Sequence, residues 1–222
     1  MTGEVGHLIH ITDPSGDEHR VYDELGHLSS SQFTPVPQST TAPKPSYTTQ
    51  FKYDSLGRLL TLTYPDGEAV SYGYDGGGAL NSVSGKFATG TATPYVQKIT
   101  YDEFGQRKNI TLGNGAVTKY SYDPNMRWLS DINTVSGATT IQNNHYTFDN
   151  VGNILTAANN IAIPAPVAPN GPIAPGPTTQ TFSYDKLYQL TTASGRYDGC
   201  ACGCNNHRDY TYAQTYDEIG RG

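Results

Sequence analysis

The sequence predicts an all-β protein in which repeated β-hairpins form a long antiparallel, spiralling sheet. The 222 residues include 24 Gly and 17 Tyr, but only 15% are charged. This composition is typical of short strands joined by tight turns. One motif, an aromatic residue, then Asp, two variable residues and often Gly, occurs in eight copies, and short alternating runs separate them. We therefore expect a single repeat array over residues 1–222, because internal repeats indicate a stack of similar units.

Composition and charge exclude several other classes of protein. No apolar run approaches the roughly 18 residues that a membrane-spanning helix needs, and the first residues lack the basic and apolar regions of a signal peptide. The net charge is −6, and the 14 basic residues are scattered singly rather than clustered. A nucleic-acid partner is therefore not expected, since such proteins usually carry clustered Lys and Arg.

The motif has the form aromatic, Asp, two variable residues and often Gly. Asp suits the first position of a β-turn, where its carboxylate accepts a hydrogen bond from the backbone N–H two residues later. Gly suits the fourth position, where a positive φ is often needed. The residues to which we assign this structural role are Tyr22, Asp23, Gly26, Tyr53, Asp54, Gly57, Tyr74, Asp75, Tyr101, Asp102, Gly105, Tyr122, Asp123, Phe148, Asp149, Gly152, Tyr184, Asp185, Tyr216, Asp217 and Gly220.

Each motif opens one hairpin. The copies that begin at Tyr53 and Tyr101 are each followed, 21 residues later, by the next copy. The alternating run over residues 59–64 predicts a strand. Asp66-Gly67 then supplies a tight-hairpin signal, because such pairs tolerate left-handed backbone angles. A second strand returns to the next motif, so the unit is a β-hairpin.

Three segments interrupt the array, near residues 34–46, 161–178 and 195–208. The first two are rich in Pro, which cannot donate ladder hydrogen bonds, so we expect exposed excursions from the sheet. The third contains all three cysteines.

The cysteine segment allows three interpretations. Cys200, Cys202, Cys204 and His207 could supply four ligands to zinc, although structural zinc sites usually space their cysteines more widely and in two separated pairs. A disulfide would form most easily between Cys200 and Cys204 and would leave one thiol for intermolecular pairing. Plain loop cysteines are the third interpretation. No cofactor is expected elsewhere in the chain.

The motif, with its Gly-Arg-Leu continuation and its hairpin, resembles the YD repeat of the Rhs family. This family includes bacterial polymorphic toxins, the C component of Tc insecticidal toxins and the extracellular part of teneurins. The resemblance spans nearly the whole chain and is most specific between Tyr53 and Met126. It implies a sheet wound into a hollow shell that encloses a C-terminal toxic domain. Eight motif copies correspond to a partial shell, so we expect this chain to be a fragment of a longer protein.

The resemblance implies a non-catalytic structural segment that encloses or presents a toxin or effector domain. Its partners would be the remainder of a larger Rhs-type polypeptide or its cargo domain, at the cell surface or in a secreted protein. An alternative is an extracellular adhesive repeat that binds glycans or surfaces through rows of tyrosines and self-assembles through its sheet edges. A third hypothesis, autoproteolysis by Asp13 and Asp23, ranks far below both, because paired catalytic carboxylates need a shared buried site.

Overall fold

A computed structural model describes residues 6–36, 44–162, 176–198, 207–217 and 220, and its regular elements are all β-strands. The all-β prediction is thus confirmed, and this part of the chain contains no helix long and apolar enough to cross a bilayer. The strands are β1 (His10–Asp13), β2 (Gly16–Tyr22), β3 (Leu28–Pro35), β4 (Tyr47–Tyr53), β5 (Leu59–Thr63), β6 (Ala69–Tyr74), β7 (Leu80–Lys86), β8 (Thr93–Tyr101), β9 (Arg107–Leu112), β10 (Val117–Tyr122), β11 (Leu129–Ser136), β12 (Thr139–Phe148), β13 (Ile154–Asn159), β14 (Thr178–Tyr184), β15 (Leu190–Asp198) and β16 (His207–Ala213).

The strands are ordered in the sheet as they are in the chain. Consecutive strands pair antiparallel from β1 to β8 and from β9 to β16. This is the succession of hairpins that the repeat predicts. The chain divides into two compact units, one of Met1–Ile99 with Leu112–Asn114 and the other of Thr100–Thr111 with Gly115–Gly222. Because the strands are antiparallel, the motif turns lie at one end of the strands within each unit and the turns between them at the opposite end.

In the first unit, the pairing register separates apolar from polar side chains. Phe51 lies opposite Leu62, which in turn lies opposite Val70, and these three share one face. Successive side chains of a strand point to opposite faces. The other face carries polar neighbours from the same three strands, namely Lys52, Thr61 and Ser71.

The second unit repeats this division. Phe182 lies opposite Ala193, and Ala193 lies opposite Tyr212, so that an apolar row crosses β14, β15 and β16. The opposite face carries hydroxyl groups that bond across strands, such as Thr147 with Thr156 at 2.6 Å. Cross-strand pairs of this kind are a main source of sheet stability.

The core is thin. Among the described residues, the buried apolar side chains are few and no large side chain is fully buried. The buried apolar residues are Val70, Ile99, Ala116, Ile161 and Ala193. A sheet normally buries its apolar face against a second layer. Here, side chains of neighbouring strands cover that face only in part.

Strands extend into the ends of two of the predicted insertions. β15 runs to Asp198 and β16 starts at His207, with Gly195 paired to Tyr210, so residues 195–198 and 207–208 of the predicted 195–208 excursion belong to the sheet. β3 likewise continues through Pro35, its last residue, where the missing N–H ends the ladder at little cost. Residues 37–43, 163–175 and 199–206 lie outside the described residues.

The turn at Asp66-Gly67 contains one residue more than a two-residue hairpin turn, because residues 65–67 lie between the bonded Tyr64 and Glu68. The Tyr64 N–H donates to the Glu68 carbonyl at 2.8 Å, and the Gly67 N–H donates to the Tyr64 carbonyl at 3.0 Å. Gly67 has a φ of 90°, whereas Asp66 is not in the left-handed region. The tightest hairpin turns need positive φ at both central residues. This turn instead has the hydrogen-bond pattern of the motif turns.

Gly113 is expected to be the glycine least tolerant of a side chain. A Cβ there would lie 1.6 Å from the backbone carbonyl oxygen of Pro94, whereas one at Gly115 would meet nothing within 4 Å. Gly115→Ala costs only the left-handed strain, about 1–2 kcal/mol. Gly113→Ala must instead displace the backbone of β8 at Pro94. The unfolding free energy of this variant, measured in urea, should therefore fall by about 3 kcal/mol or more. Equal losses for the two variants would contradict this account.

Candidate functional site

The motif aspartate closes its turn through one carboxylate oxygen. In the copy at Asp54, Oδ1 accepts hydrogen bonds from the N–H groups of Leu56 and Arg58, each at 2.9 Å. The Asp54 N–H donates to the Arg58 carbonyl at 2.9 Å, and the Gly57 N–H donates to the Asp54 carbonyl at 3.0 Å. Gly57 has a φ of 74°, which favours glycine. The turn is therefore held by four hydrogen bonds.

The same pair of carboxylate bonds, to the N–H groups two and four residues later, recurs through the repeats. The aspartates that make it are Asp23, Asp75, Asp102, Asp149 and Asp185. In the copy at Tyr216, the Gly220 N–H donates to the Asp217 carbonyl at 3.0 Å.

Two copies lack the motif glycine and still adopt the turn. In one, Tyr188 takes the positive-φ position with a φ of 63°. In the copy at Asp123, the loop is one residue longer. There Arg127 has a φ of 62°, and the Asp123 N–H donates to the Trp128 carbonyl at 2.8 Å. The left-handed position is thus a property of the turn rather than of glycine alone.

The turn bonds stabilise the ionised carboxylate. The pKa of Asp54 lies below its usual value, chiefly because the Arg58 backbone N–H donates a hydrogen bond to its carboxylate. The Arg58 side chain and the Leu56 N–H also lower this pKa, whereas partial burial acts to raise it. At Asp23, Asp102 and Asp149, burial is the largest influence and acts to raise the pKa, but the hydrogen bonds together outweigh it and the pKa is again lowered.

Hydroxyl groups of the motif tyrosines link consecutive motif turns by joining the two strands of a hairpin. Tyr74 Oη donates to the Leu59 carbonyl at 2.8 Å, across from β6 to β5. The β5–β6 ladder begins only at Thr61 opposite Ser71, so this carbonyl lies beyond the ladder. Four other motif tyrosines make the same contact at 2.9–3.1 Å, namely Tyr22, Tyr122, Tyr184 and Tyr216.

A β-bulge accompanies the motif. Lys52 pairs with Thr61 but Tyr53 pairs with Leu59, so Leu60 is an extra residue in its strand. Equivalent shifts occur at Tyr22, Tyr74, Tyr122, Phe148 and Tyr184. Bulges increase the local right-handed twist of a strand pair. The motif therefore sets local twist as well as the turn, a role that the sequence did not reveal.

In three copies of the motif, the residue after the turn contacts the next motif. The His27 ring stacks on the Tyr53 ring with centroids 4.9 Å apart, and the Arg58 guanidinium lies 4.6 Å from the centre of the Tyr74 ring. Trp128 packs against Phe148 with centroids 5.3 Å apart. We call His27, Arg58 and Trp128 the post-turn residues. Their types differ, so sequence reasoning missed them, and only their common position could have identified them.

The post-turn residues give the motif glycines a second role. A Cβ at Gly57 would lie 2.9 Å from His27 Nε2, and one at Gly152 would lie 3.1 Å from Trp128 Cζ2. Both distances are tighter than ordinary van der Waals contact. Glycine thus leaves room for the side chain that arrives from the preceding turn.

An open cavity of about 700 Å³ lies on the apolar face of the first unit. Its lining includes Tyr47, Tyr64 and Tyr95, which are 48%, 41% and 43% exposed, around the buried Val70. The sequence did not indicate this cavity, because Tyr47, Tyr64 and Tyr95 lie outside the motif.

The remaining predicted sites are not brought together in the described structure. Cys200, Cys202 and Cys204 lie outside the described residues, as does the side chain of His207, so neither the disulfide nor the metal interpretation is tested. Asp13 and Asp23 lie at opposite ends of β2, whose seven residues span about 23 Å. The described residues contain no cluster of three His, Cys, Asp or Glu side chains that could hold a metal.

Acid should weaken the fold through the turn carboxylates. A carboxylate whose pKa is lowered by folding stabilises the folded state above its unfolded pKa of about 3.9, and this contribution is lost as the pH falls through the folded value. We expect the urea midpoint to fall between about pH 5 and pH 2. Asp54→Asn should have a lower midpoint at pH 7 and a smaller fall on acidification. Glu103→Gln, at an exposed turn position, should leave the pH profile unchanged, and a profile for Asp54→Asn equal to that of the wild type would contradict the role of this carboxylate.

The tyrosine hydroxyl contact should be measurable by itself. Tyr74→Phe removes the donor to the Leu59 carbonyl and should cost about 1 kcal/mol of unfolding free energy. The control is Tyr64→Phe, whose ring is 41% exposed and whose hydroxyl has no partner in the described part of the chain. Urea titration of both variants makes the comparison. The proposed link between the two strands is wrong if both substitutions lower the unfolding free energy by the same amount.

Comparison with known structures supports the same architecture. A structure of the TcdB2-TccC3 complex matches with a TM-score of 0.76 and 25% identity, covering 96% of this chain. TcdB2-TccC3 without its hypervariable C-terminal region matches with a TM-score of 0.75 and 26% identity over 96% of this chain. The Tc holotoxin pore of Photorhabdus luminescens, with a mutated TccC3, matches with a TM-score of 0.77 and 26% identity over 97%.

The chain spans 11% of the length of each of these three structures. No curated protein matches it significantly. The family described as Teneurin YD-shell matches residues 3–202. This match covers the motif copies from Tyr22 to Tyr184, together with the hairpins, bulges and turn bonds described above. The chain therefore belongs to the teneurin YD-shell family.

Proposed function

We propose that this chain is a non-catalytic segment of a larger YD shell that encloses or presents a toxin or effector domain. The observation that carries the proposal is an amphipathic sheet that buries few apolar side chains in the described part of the chain. Burying apolar surface is the main driving force of folding and association. The apolar face of such a sheet is suited to line an enclosure whose remaining parts cover it.

The turn tips support the same role. The second variable residue of the motif is apolar and exposed in most copies, with exposures of 71% at Leu25, 76% at Leu56, 64% at Phe104, 57% at Val151 and 72% at Leu187. Such rows mark surfaces that contact other protein. In a shell, adjoining parts of the polypeptide would cover them.

The outer strands need partners as well. β1 and β16 each pair with one strand in the described part of the chain. Free strand edges invite pairing with another chain. The remainder of the shell, or a second copy of this chain, would satisfy them. The solved neighbours join TccC3 to TcdB2, and one of them is TcdB2-TccC3 without its hypervariable C-terminal region. By analogy, the partner here would be a cargo region of the same polypeptide, in a secreted or cell-surface protein.

The second candidate is an adhesive repeat that binds glycans. The exposed rings of Tyr47, Tyr64 and Tyr95 favour it, because exposed aromatic faces can stack on sugars. The motif tyrosines do not contribute in this way, since those with assigned contacts hold neighbouring strands together.

Limited proteolysis of the complete gene product tests enclosure. If the region that follows the repeats is enclosed, it should resist protease in the intact protein and be cut rapidly once the sheet is opened. Phe182→Asp places a charge on the half-buried apolar face and should accelerate cleavage about tenfold, because an unpaired charge there is costly. Ser183→Asp places the same charge on the exposed polar face and should have little effect. Mass spectrometry identifies the cut sites.

The proposal fails if the following region is cut as fast in the intact protein as in isolation. Persistent protection in Phe182→Asp, despite a lowered unfolding free energy, would also count against enclosure by this face. Binding on a glycan array that is lost in Tyr64→Ala, with no protection of any region, would favour the adhesive alternative.

A further inference from the structure

The cavity on the first unit combines aromatic rings with negative charge. Besides Tyr47, Tyr64 and Tyr95, its lining includes the carboxylates of Asp66 and Glu68, which lie in the turn between β5 and β6. An aromatic ring presents a negative face that attracts cations. The aromatic rings and the carboxylates therefore both attract a cationic ligand.

The structure holds one of these rings in a fixed place. Tyr95 Oη donates a short hydrogen bond to Glu68 Oε1, and the Tyr95 carbonyl accepts the Gly113 N–H at 2.9 Å. The ring lies over Gly85, where a Cβ would come within 2.4 Å of Tyr95 Cζ. Gly85 thus makes room for the ring on the apolar face. Such preorganisation reduces the entropic cost of binding.

Neither carboxylate of the cavity is neutralised by the described part of the chain. Asp66 Oδ1 accepts the Glu68 N–H at 3.1 Å, and Glu68 Oε1 accepts the Tyr95 hydroxyl. No described Lys, Arg or His forms an ion pair with either group, in contrast to Asp54, which pairs with Arg58 at 2.7 Å. The second oxygen of each cavity carboxylate remains available to a donor from outside the chain.

Tyr72 and Tyr95 stay uncharged in this environment. Burial raises the pKa of Tyr72, which also lines the cavity. The hydrogen bond to Glu68 raises the pKa of Tyr95. The rings of Tyr72 and Tyr95 therefore offer neutral, electron-rich faces at physiological pH, and the carboxylates that line the cavity are those of Asp66 and Glu68.

We propose that this cavity binds the guanidinium group of an arginine side chain presented by a peptide segment. A guanidinium stacks flat on aromatic rings and donates a charge-assisted hydrogen bond to a carboxylate oxygen, which matches Tyr64, Tyr95 and the second oxygen of Glu68. A volume of about 700 Å³ accommodates the whole side chain with part of its backbone. A neutral sugar would use the ring faces but not the charges. The inference is independent of shell enclosure, because it concerns a site within the first unit.

Titration of the 222-residue chain with short peptides tests the proposal. The probe is acetyl-Gly-Arg-Gly-amide, and the matched control replaces arginine by citrulline, a neutral side chain of nearly the same shape. Calorimetry should show the citrulline peptide binding at least about tenfold more weakly, because it loses a charge-assisted hydrogen bond and the cation–ring attraction. A lysine peptide should fall between them, since it keeps the charge without the planar donors.

Variants locate the binding in the cavity. Glu68→Gln keeps an acceptor for Tyr95 and removes the charge, and it should weaken the arginine peptide about fivefold to tenfold. Glu103→Gln removes the same charge from an exposed turn elsewhere and should change the affinity less than twofold. Circular dichroism verifies that both variants retain the fold. Equal affinity for arginine and citrulline peptides, an unchanged affinity in Glu68→Gln, or full competition by a neutral glycan would overturn the proposal. None of these outcomes bears on the protease protection that tests enclosure.

Discussion

The carboxylate of the motif aspartate, bonded to two backbone N–H groups, is the contact on which each repeat depends. It fixes the length of the turn and places one residue at positive φ, as at Gly57 and Tyr188. Once the turn is fixed, the register on either side is fixed as well, including the bulge that follows. Because side chains alternate with a period of two, that register decides which residues share the apolar face.

Aromatic residues then connect each motif turn with the next one. Five motif tyrosines donate to a carbonyl in the neighbouring strand, beyond the point where the ladder ends, and the post-turn residues His27, Arg58 and Trp128 pack on the next motif. Each repeat therefore contacts chiefly its neighbours, as in other repeat proteins. Stability is spread over many hydrogen bonds and ring contacts, in keeping with the small number of buried side chains.

The thin core and the amphipathic sheet account for both functional proposals. An apolar face that is covered only in part suits a shell wall, whose other side is supplied by further protein. The same face carries the cavity between Tyr64 and Tyr95, where the turn carboxylates of Asp66 and Glu68 add charge to an aromatic surface. Because few side chains of the repeats are buried in a core, many side chains are exposed and able to contact partners.

The sequence by itself determined the all-β class, the hairpin unit and the motif positions, because turn chemistry is local: Asp, Gly and their spacing specify the turn without reference to the rest of the chain. It did not determine the strand ends near Asp198 and His207, since strand pairing can extend a strand through residues with little strand signal. It also missed the bulges, the post-turn residues and the cavity. These arise from cross-strand distances, such as the approach of Tyr95 to Gly85 and Glu68, and such distances exist only once the strands are paired in register.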